Sequence, residues 1–322
     1  MVILAVDSGT TSTRAWVVDS GKVLAGAFTR GGAKDVARGQ QRFDLLSQVR
    51  SVCDGALGDS GRSWGDVRAV VAFGMITSEL GLEEVSHLEA PAGRRALVDA
   101  MRRREDGALP APVYLIPGVR SDGPGLADID FMRGEETEVV GLLSLGSVDP
   151  PVLYLSAGSH TKFVAVDVRG RIDWSMTTLS GELLWAIHRE TILSELVDPI
   201  GDISDLEAVE EGALMAERSG LSRALFAARL LNRVRGVGPD TCSAFLHGAV
   251  AGTDLRSLRT ALGARPDPPT RVVVGGGSAL AQAYRHLLGK EDWVTALEDT
   301  DQPLGALGAW AMFSDASGDG RR

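Results

Sequence analysis

The sequence predicts an α/β protein made of two similar halves, and three observations support this fold class. The chain has 322 residues, which is enough for two globular domains. An apolar strand followed by a polar, glycine-containing turn opens the chain, and the same pattern begins again after the linker at residues 145–151. Near the C-terminus a third apolar strand runs into three consecutive glycines and a helical pattern. Such repetition is typical of a duplicated α/β domain.

The first half opens with strands and continues with helices and strands in alternation. Residues 2–6, 14–18 and 22–28 are short apolar runs, and the turns that separate them, at 7–11 and 19–21, are short enough for consecutive hairpins. The elements predicted after these are a helix at 39–55, strands at 67–73 and 113–116, and a helix at 133–143.

The second half repeats the opening of the first. Strands are predicted at 152–156, 162–168 and 172–178, and the pattern is helical from about 181 to 262. The elements predicted after these are a strand at 271–274, a helix at 278–288, an apolar segment at 293–297 and a closing helix at 303–313. We therefore expect an N-terminal domain over residues 1–148 and a C-terminal domain over residues 149–322.

The charge balance argues against nucleic acid as a partner. The chain carries 33 Lys plus Arg against 43 Asp plus Glu, so its formal net charge is −10. Nucleic-acid binding needs a basic face. The basic run at 101–106 is short and ends in acidic residues, so it predicts a solvated helix end.

The cysteines and the N-terminal apolar run argue against a disulfide-rich, zinc-binding or membrane protein. Cys53 and Cys242 lie far apart and belong to no Cys/His cluster, so neither a disulfide framework nor a zinc site is predicted. The apolar run at 2–6 is too short to span a membrane and lacks the features of a secretion signal. We therefore expect a cytoplasmic protein with no membrane partner.

The turn between the first two strands has the composition of a phosphate-binding hairpin. Gly9 permits a tight turn, and the amides and hydroxyls of Thr10 and Thr11 are suited to phosphate oxygens. Asp7, at the end of the strand, is suited to hold hydrated Mg²⁺. The alternative is an ordinary turn without a ligand, because short motifs often occur without function.

The second strand–turn–strand unit repeats this design. Gly158, Ser159 and Thr161 again supply a small residue and two hydroxyls, while His160 and Lys162 offset negative charge. The alternatives are a structural role for His160 and a solvated strand position for Lys162. Two such hairpins, one opening each half, indicate phosphate binding more strongly than either hairpin alone.

The third apolar strand ends in a glycine-rich loop. Gly275, Gly276 and Gly277 let a ligand approach the backbone, and Ser278 begins a helix whose N-terminus favours anionic groups. A dinucleotide fingerprint and a hydrolase nucleophile elbow both need glycine where Leu280 stands, so both are excluded.

Taken together, these segments resemble the actin, hexokinase and Hsp70 ATPase superfamily, and within it the 2-dehydro-3-deoxygalactonokinase family. The segments that carry the resemblance are residues 6–16, 116–119, 132–137, 158–162 and 180–183, with the loop at 275–278. The run Arg133-Gly134-Glu135-Glu136-Thr137 is the most specific of them. The resemblance implies two ribonuclease-H-like domains with an interdomain nucleotide cleft that holds ATP and Mg²⁺.

The chain departs from the family pattern at two places. Ser8 stands where the family usually has Trp, and residues 79–85 replace a stretch that usually contains Gln-Gly-Trp. The second departure falls in the region where the resemblance places the acceptor, close to Met75 and Ser78. The acceptor is therefore less well determined than the reaction.

The resemblance also implies which residues carry the chemistry. Phosphoryl transfer needs positioning, neutralisation of charge and a base near the attacking hydroxyl. Related sugar kinases carry an acid–Thr pair before the second phosphate loop, which favours Glu136, next to Thr137, as the base. Glu135 is the alternative, because adjacent helical residues point about 100° apart and one carboxylate of the two is expected to face the cleft. A further alternative is that both glutamates lie on a solvated face of the helix, where Arg133 is their local ion-pair partner.

The expected reaction is ATP-dependent phosphorylation of the terminal hydroxyl of 2-dehydro-3-deoxy-D-galactonate, giving the 6-phosphate in galactonate catabolism. Arg14, Arg120 and Arg133 are candidates for the cation that binds the substrate carboxylate. One alternative is a kinase of the same fold for another sugar acid or polyol, and another is a non-catalytic nucleotide- or sugar-binding regulator. The expected partner is a small sugar acid, and a homodimer is left open.

Overall fold

The structure is a computed structural model that describes residues 1–31, 42–105, 107 and 109–318. Contacts between Cα atoms divide the chain into two compact units. Unit 1 comprises Met1–Pro150, Asp167–Ser175 and Pro303–Arg322, and unit 2 comprises Pro151–Val166 and Met176–Gln302. No helix in the described ranges is both long and apolar enough to cross a bilayer.

The described residues form fourteen strands and nine α-helices. The strands are β1 (Val2–Ser8), β2 (Ser12–Asp19), β3 (Lys22–Arg30), β4 (Val67–Gly74), β5 (Leu88–Glu89), β6 (Arg102–Arg104), β7 (Val113–Leu115), β8 (Val119–Ser121), β9 (Asp130–Met132), β10 (Val152–Ala157), β11 (Thr161–Val166), β12 (Ile172–Thr178), β13 (Arg271–Gly275) and β14 (Ala296–Thr300). The helices are α1 (Arg42–Ser60), α2 (Arg94–Ala100), α3 (Glu135–Ser144), α4 (Ser180–Glu190), α5 (Leu206–Ser219), α6 (Leu221–Arg235), α7 (Pro239–Gly263), α8 (Ala279–Leu288) and α9 (Leu304–Ala316).

Unit 1 is built on a six-stranded sheet of order β3-β2-β1-β4-β7-β6. Strand β1 pairs antiparallel with β2 and parallel with β4. It is buried along nearly its whole length, because helices cover both faces of the sheet at this central position. Leu4 and Val6 share a core with Leu45 and Val49 of α1, and α9 contacts both β1 and β4.

Helices α3 and α9 of unit 1 pack closely because glycines lie at their contact. A Cβ atom on Gly308 would lie 1.9 Å from the carbonyl oxygen of Thr137, and one on Gly141 would lie 2.0 Å from that of Leu304. This contact places the last helix in unit 1, whereas the division expected from the sequence assigns residues 149–322 to the second domain. Long-range packing of this kind leaves no local sequence pattern.

The second sheet has five strands in the order β12-β11-β10-β13-β14. Strand β10 pairs antiparallel with β11 and parallel with β13. The same arrangement of an antiparallel hairpin beside a parallel strand occurs around β1, as the repeated sequence pattern predicts. Helices α4 to α8 follow in unit 2, with α5 and α7 in extensive contact.

Short elements are where the sequence prediction fails. The basic run predicted as a helix end is instead strand β6, which pairs antiparallel with β7. Strands β5, β8 and β9 form a separate three-stranded sheet that the sequence did not predict. Elements of two or three residues are too short to carry a periodic pattern, so pairing with distant strands decides their conformation.

The longer helices are observed with shifted ends. The helix predicted at 39–55 is observed as α1, and its predicted residues 39–41 lie outside the described residues. The helix predicted at 133–143 begins at Glu135, because Gly134 has a φ of 114° that a helix does not allow. The closing helix α9 extends to Ala316.

Candidate functional site

The first candidate site lies in unit 1, where strands β1 and β4 end side by side. These strands are parallel, and Ser8 is the register partner of Gly74. The turn that follows β1 is closed by a hydrogen bond of 2.9 Å from the Gly9 amide to the Ser12 carbonyl oxygen. The buried hydroxyls of Ser8 and Thr13 are 3.1 Å apart and brace the base of this turn. Thr10 is half-buried and Thr11 is exposed, so both predicted phosphate ligands are accessible.

Two glycines let the start of helix α3 approach this strand edge. A Cβ atom on Gly74 would lie 2.9 Å from Oδ1 of Asp7 and 2.8 Å from the Ser8 carbonyl oxygen, and the φ of Gly74 is 83°. A Cβ atom on Gly134 would lie 3.6 Å from the Cα of Gly74. The N-terminus of α3, with Glu135 as its first residue, therefore lies next to Asp7.

Three carboxylates interact at this edge. Asp7 is half-buried, and loss of solvation, opposed by Arg14 and reinforced by Glu135, raises its pKa to about 6. Arg14 is the register partner of Asp7 across β1 and β2. Burial, with a further contribution from Glu135, raises the pKa of Glu136 to about 8. The structure thus brings Asp7, Glu135, Glu136 and Arg14 together.

The two adjacent glutamates differ in their surroundings. Glu136 has no solvent exposure, and its carboxylate accepts hydrogen bonds from the Gly134 amide at 3.0 and 2.8 Å and from Oγ1 of Thr137 at 2.9 Å. It therefore satisfies donors at the start of its own helix. Glu135 is half-buried. The sequence favoured Glu136 as the base, but Glu136 is enclosed, and Glu135 is the glutamate of the pair that interacts with Asp7.

The residues at this edge suit a magnesium ion that is shared with a ligand. Among the described residues, no group of three or more His, Cys, Asp or Glu is arranged to hold a metal by protein side chains alone. Mg²⁺ is commonly bound by one or two carboxylates together with water and substrate phosphates. Asp7 fits this pattern, because burial and the neighbouring Glu135 raise its pKa, and a cation would relieve the cost of its ionisation.

The predicted acceptor residues lie in different surroundings. Arg133 is half-buried, which lowers its pKa, and it donates to Oγ1 of Thr77 at 3.0 Å and to the carbonyl oxygen of Val85 at 2.8 Å. It therefore joins both ends of residues 77–85, which include the segment 79–85 that the sequence identified as atypical. Ser78 is buried and donates to the Met75 carbonyl oxygen at 2.7 Å.

Arg120 lies on the three-stranded sheet. It is exposed and pairs with Glu89, its register partner across β5 and β8. Together with Ser121 and Phe131 it lines a cavity of about 350 Å³. The hydroxyl of Ser121 is buried and has no hydrogen-bond partner among the described residues. An unmatched buried hydroxyl beside an exposed arginine is suited to a polar ligand.

A second candidate site lies in unit 2, where strands β10 and β13 end side by side. They are parallel, and Ser156 is the register partner of Gly275. The hairpin turn after β10 and the glycine loop after β13 therefore lie at the same edge of the sheet, and the hydroxyl of Ser278 is 3.5 Å from the Ala157 carbonyl oxygen. The structure brings these two predicted segments together.

Helix α4 packs its first turn against this hairpin. A Cβ atom on Gly181 would lie 2.2 Å from the Gly158 carbonyl oxygen, and the Glu182 amide donates to the Ser159 carbonyl oxygen at 2.8 Å. His160 is half-buried, with its Nε2 atom 3.9 Å from the Glu182 carboxylate. Gly158 itself is exposed, so the tip of the turn is open to a ligand.

Lys162 and Thr161 are buried at the base of the hairpin. The Nζ atom of Lys162 donates to Oγ1 of Thr177 at 2.6 Å, and the residue is 6 % exposed. A solvated strand position for Lys162 is therefore wrong. The Thr161 hydroxyl faces Tyr284, 3.4 Å from its phenolic oxygen, so the side chain predicted to bind phosphate is turned inward.

A buried hydrogen-bond network that the sequence did not indicate lies beneath this hairpin. Asp254 of α7 accepts hydrogen bonds from the hydroxyls of Thr178, at 2.7 Å, Ser180 and Tyr284. Burial raises the pKa of Asp254, and burial with the neighbouring Asp254 charge raises that of Tyr284. The sequence feature that could have indicated this network is Asp254, an aspartate within an apolar helical stripe. The network joins the hairpin, α4 and α8, and so links the two predicted nucleotide loops of unit 2.

The glycine loop after β13 is held from both sides. The Gly276 amide donates to the Thr300 carbonyl oxygen at 3.1 Å, and Arg285 donates to the Gly276 carbonyl oxygen at 3.0 Å. Gly276, with a φ of 81°, and Gly277 are exposed, whereas Gly275 is buried against Tyr154. Ser278 caps α8 by accepting from the Ala281 amide. The exposed backbone at a helix N-terminus suits an anionic or flat ligand.

Comparisons with known proteins agree on the fold. The family model described as 2-keto-3-deoxy-galactonokinase matches residues 7–312, and no curated protein matches the sequence. A crystal structure assigned as a 2-dehydro-3-deoxygalactonokinase from Sinorhizobium meliloti is 23% identical, with 98% of each chain covered and a TM-score of 0.73.

Two further solved structures share the fold at 16% identity. The activator of 2-hydroxyisocaproyl-CoA dehydratase from Clostridium difficile, with bound ADPNP, has a TM-score of 0.55 over 99% of this chain and 97% of that chain. Component A of (R)-2-hydroxyglutaryl-CoA dehydratase from Acidaminococcus fermentans has a TM-score of 0.52 over 98% and 99%. The predicted α/β fold of the actin and hexokinase type is confirmed.

Proposed function

This chain belongs to the 2-keto-3-deoxy-galactonokinase family, and we propose that it transfers the terminal phosphoryl group of ATP to the terminal hydroxyl of 2-dehydro-3-deoxy-D-galactonate, forming the 6-phosphate. The family establishes a sugar kinase. The acceptor in this proposal is supported by the family match, and the phosphoryl transfer is supported by the cluster of Asp7, Glu135 and Arg14 beside a glycine turn at a sheet edge. This combination supplies the charges that phosphoryl transfer needs.

In this proposal both hairpin turns bind phosphate. The turn at Gly9, Thr10 and Thr11 offers backbone amides and two accessible hydroxyls. The turn at 158–161 offers the exposed Gly158 backbone, with Lys162 beneath it as a cation. Thr161 contributes through its backbone, because its hydroxyl belongs to the buried network. The exposed Gly276–Gly277 backbone receives the nucleoside part of ATP.

Mg²⁺ would be held by Asp7 and would neutralise charge on the transferred phosphoryl group. Arg14, which lies across the strand pair from Asp7, adds a second positive charge there. The acceptor carboxylate lies at the opposite end of the substrate from the reacting hydroxyl. Arg14 is therefore assigned to the phosphoryl group, and Arg120, in the cavity with Ser121, to the carboxylate.

We assign Glu135 as the general base. It takes the proton from the terminal hydroxyl while that oxygen bonds to the γ-phosphorus and the bond to ADP breaks. Glu136 is enclosed and already accepts three hydrogen bonds at the start of α3. It therefore positions the helix that carries Glu135.

The proposed function is tested by ADP release from MgATP across a panel of acceptors. The panel contains 2-keto-3-deoxy-galactonate, its gluconate epimer, aldonates, neutral sugars and glycerol. Turnover selective for the keto-deoxy acids is expected, and Arg120→Ala should raise KM for these acids while KM for ATP stays unchanged. Turnover on a different acceptor would move the function to another sugar-acid or polyol kinase. Nucleotide binding without turnover on any acceptor would indicate a non-catalytic regulator.

A further inference from the structure

The cavity on the three-stranded sheet of unit 1 contains a buried hydroxyl that the protein itself does not use. Ser121, on β8, is 7% exposed, and its Oγ atom has no hydrogen-bond partner among the described residues. Ser175, which is buried to a similar degree in the same unit, donates to Oδ2 of Asp130 at 2.7 Å. Buried polar groups are nearly always paired, because an unpaired one lowers stability. The unpaired Ser121 hydroxyl therefore indicates a partner supplied by a ligand.

The cavity around Ser121 carries both signs of charge. It has a volume of about 350 Å³, and Arg120, Asp122 and Asp130 all line it. Arg120 pairs with Glu89, but a guanidinium has five N–H donors and can bind a second carboxylate as well. Ionised aspartates only accept hydrogen bonds, so they need donors on the ligand. A ligand with both an anionic group and hydroxyl groups matches this set, whereas the aspartates would repel a simple anion such as phosphate.

The cavity lies a short distance along the chain from the proposed base. Phe131, which lines the cavity, precedes Glu135 by four residues, so their Cα atoms are at most about 14 Å apart. His87, also in the cavity wall, has its Nδ1 atom 3.4 Å from a guanidinium nitrogen of Arg133, two residues before Glu135. This separation suits a six-carbon acceptor whose acid end lies in the cavity and whose terminal hydroxyl points toward Glu135.

The polar groups of the proposed acceptor match those of the cavity. Its carboxylate is assigned to Arg120, and its hydroxyl groups are suited to donate to Asp122 and Asp130. The remaining polar group is the keto oxygen at C2, which accepts hydrogen bonds and cannot donate them. We propose that Ser121 donates a hydrogen bond to this keto oxygen and thereby selects 2-keto acids. The inference rests on the proposed function and adds a specificity-determining residue to it.

A comparison of two enzymes with two acceptor compounds tests this contact. The compounds are 2-keto-3-deoxy-galactonate and an analogue with a methylene group at C2 in place of the carbonyl, used as a competitive inhibitor. Ser121→Ala should lower kcat/KM for the keto acid by about 3- to 10-fold, because one neutral hydrogen bond is lost. The inhibition constant of the analogue and KM for ATP should stay unchanged. Ser51→Ala, at an exposed position on α1 of the same unit, is the matched control and should change none of these values.

The melting temperature gives a second test that does not depend on turnover. Without ligand, Ser121→Ala should melt at or above the wild-type temperature, since it removes an unpaired hydroxyl. Ser175→Ala removes a paired hydroxyl and should melt below wild type. A Ser121→Ala variant that melts below wild type would overturn the proposal, because its hydroxyl would then have a partner within the protein.

The kinetic outcomes separate this inference from the proposed function. If the wild-type chain phosphorylates the keto-deoxy acid but Ser121→Ala has the same kcat/KM, the inference alone is wrong. It is also wrong if Ser121→Ala weakens the binding of the analogue as much as it lowers kcat/KM for the keto acid, since the contact would then not involve the C2 oxygen. If the wild-type chain phosphorylates only other acceptors, the proposed function is wrong and the inference is overturned with it.

Discussion

The backbone amide of Gly134 donates to both carboxylate oxygens of Glu136, at 3.0 and 2.8 Å. This bond ties the carboxylate to the residue just before its own helix and directs it into the protein. Glu135, one position earlier, is left beside Asp7. The same helix start therefore holds one glutamate as a structural acceptor and presents the other to the carboxylate cluster.

We expect Glu135→Gln to lower kcat by roughly 10²–10⁴-fold, because a general base is lost. Glu136→Gln should cost much less, since the pKa of Glu136 is raised to about 8 and the neutral amide resembles its protonated form. Steady-state kinetics on both variants checks this, with MgADP affinity as the control for folding. If Glu136→Gln lowered kcat more than Glu135→Gln, Glu136 would be the general base instead.

Asp7→Asn should stabilise the fold while abolishing turnover. The pKa of Asp7 is raised from 3.8 to about 6, so its ionisation costs more in the folded chain than in the unfolded chain. That cost is absent well below pH 3.8, grows as the pH rises from 3.8 to about 6, and is constant at higher pH. The melting temperature of Asp7→Asn should therefore exceed that of wild type at about pH 8, with the difference shrinking toward about pH 5. A difference that increases on acidification would contradict this assignment.

Tyr284→Phe should weaken nucleotide binding. The substitution removes one of the hydroxyls that bond Asp254 and leaves the Thr161 hydroxyl without its neighbour, so the second hairpin loses its support. Titration with MgADP should give a Kd several-fold above that of wild type. Tyr114→Phe is the matched control, because Tyr114 packs edge-on against Phe313 in unit 1. Equal affinities of the variant and the wild type for MgADP would show that the network does not contribute to nucleotide binding.

Gly308→Ala should destabilise unit 1 by about 1–3 kcal/mol, because its methyl group would overlap the Thr137 carbonyl oxygen and force α3 and α9 apart. Gly58→Ala in α1 is the control, since a methyl group there meets nothing within 4 Å and should stabilise by about 0.4–1 kcal/mol. The midpoints of urea unfolding report both changes. If Gly308→Ala unfolds at the wild-type midpoint, the close helix contact is not required.

Local patterns located most of the candidate site. The turn at Gly9, the turn at Gly158 and the glycine loop at 275–278 each follow a run of apolar residues, and a strand that ends in glycine predicts a tight loop on its own. The repetition of strand, turn and strand predicted that these loops recur in both halves. Strand pairing then places Ser8 beside Gly74 and Ser156 beside Gly275.

The sequence by itself determined the order of the main strands and helices, the two hairpins and the acidic pair on α3, because periodicity and turn residues act over a few positions. Only the tertiary structure decided which glutamate is enclosed, that Arg133 braces the 77–85 segment, and that Asp254 meets Tyr284. Those outcomes depend on burial and on hydrogen bonds between residues far apart in the chain, and such contacts form only when the helices pack on their sheets.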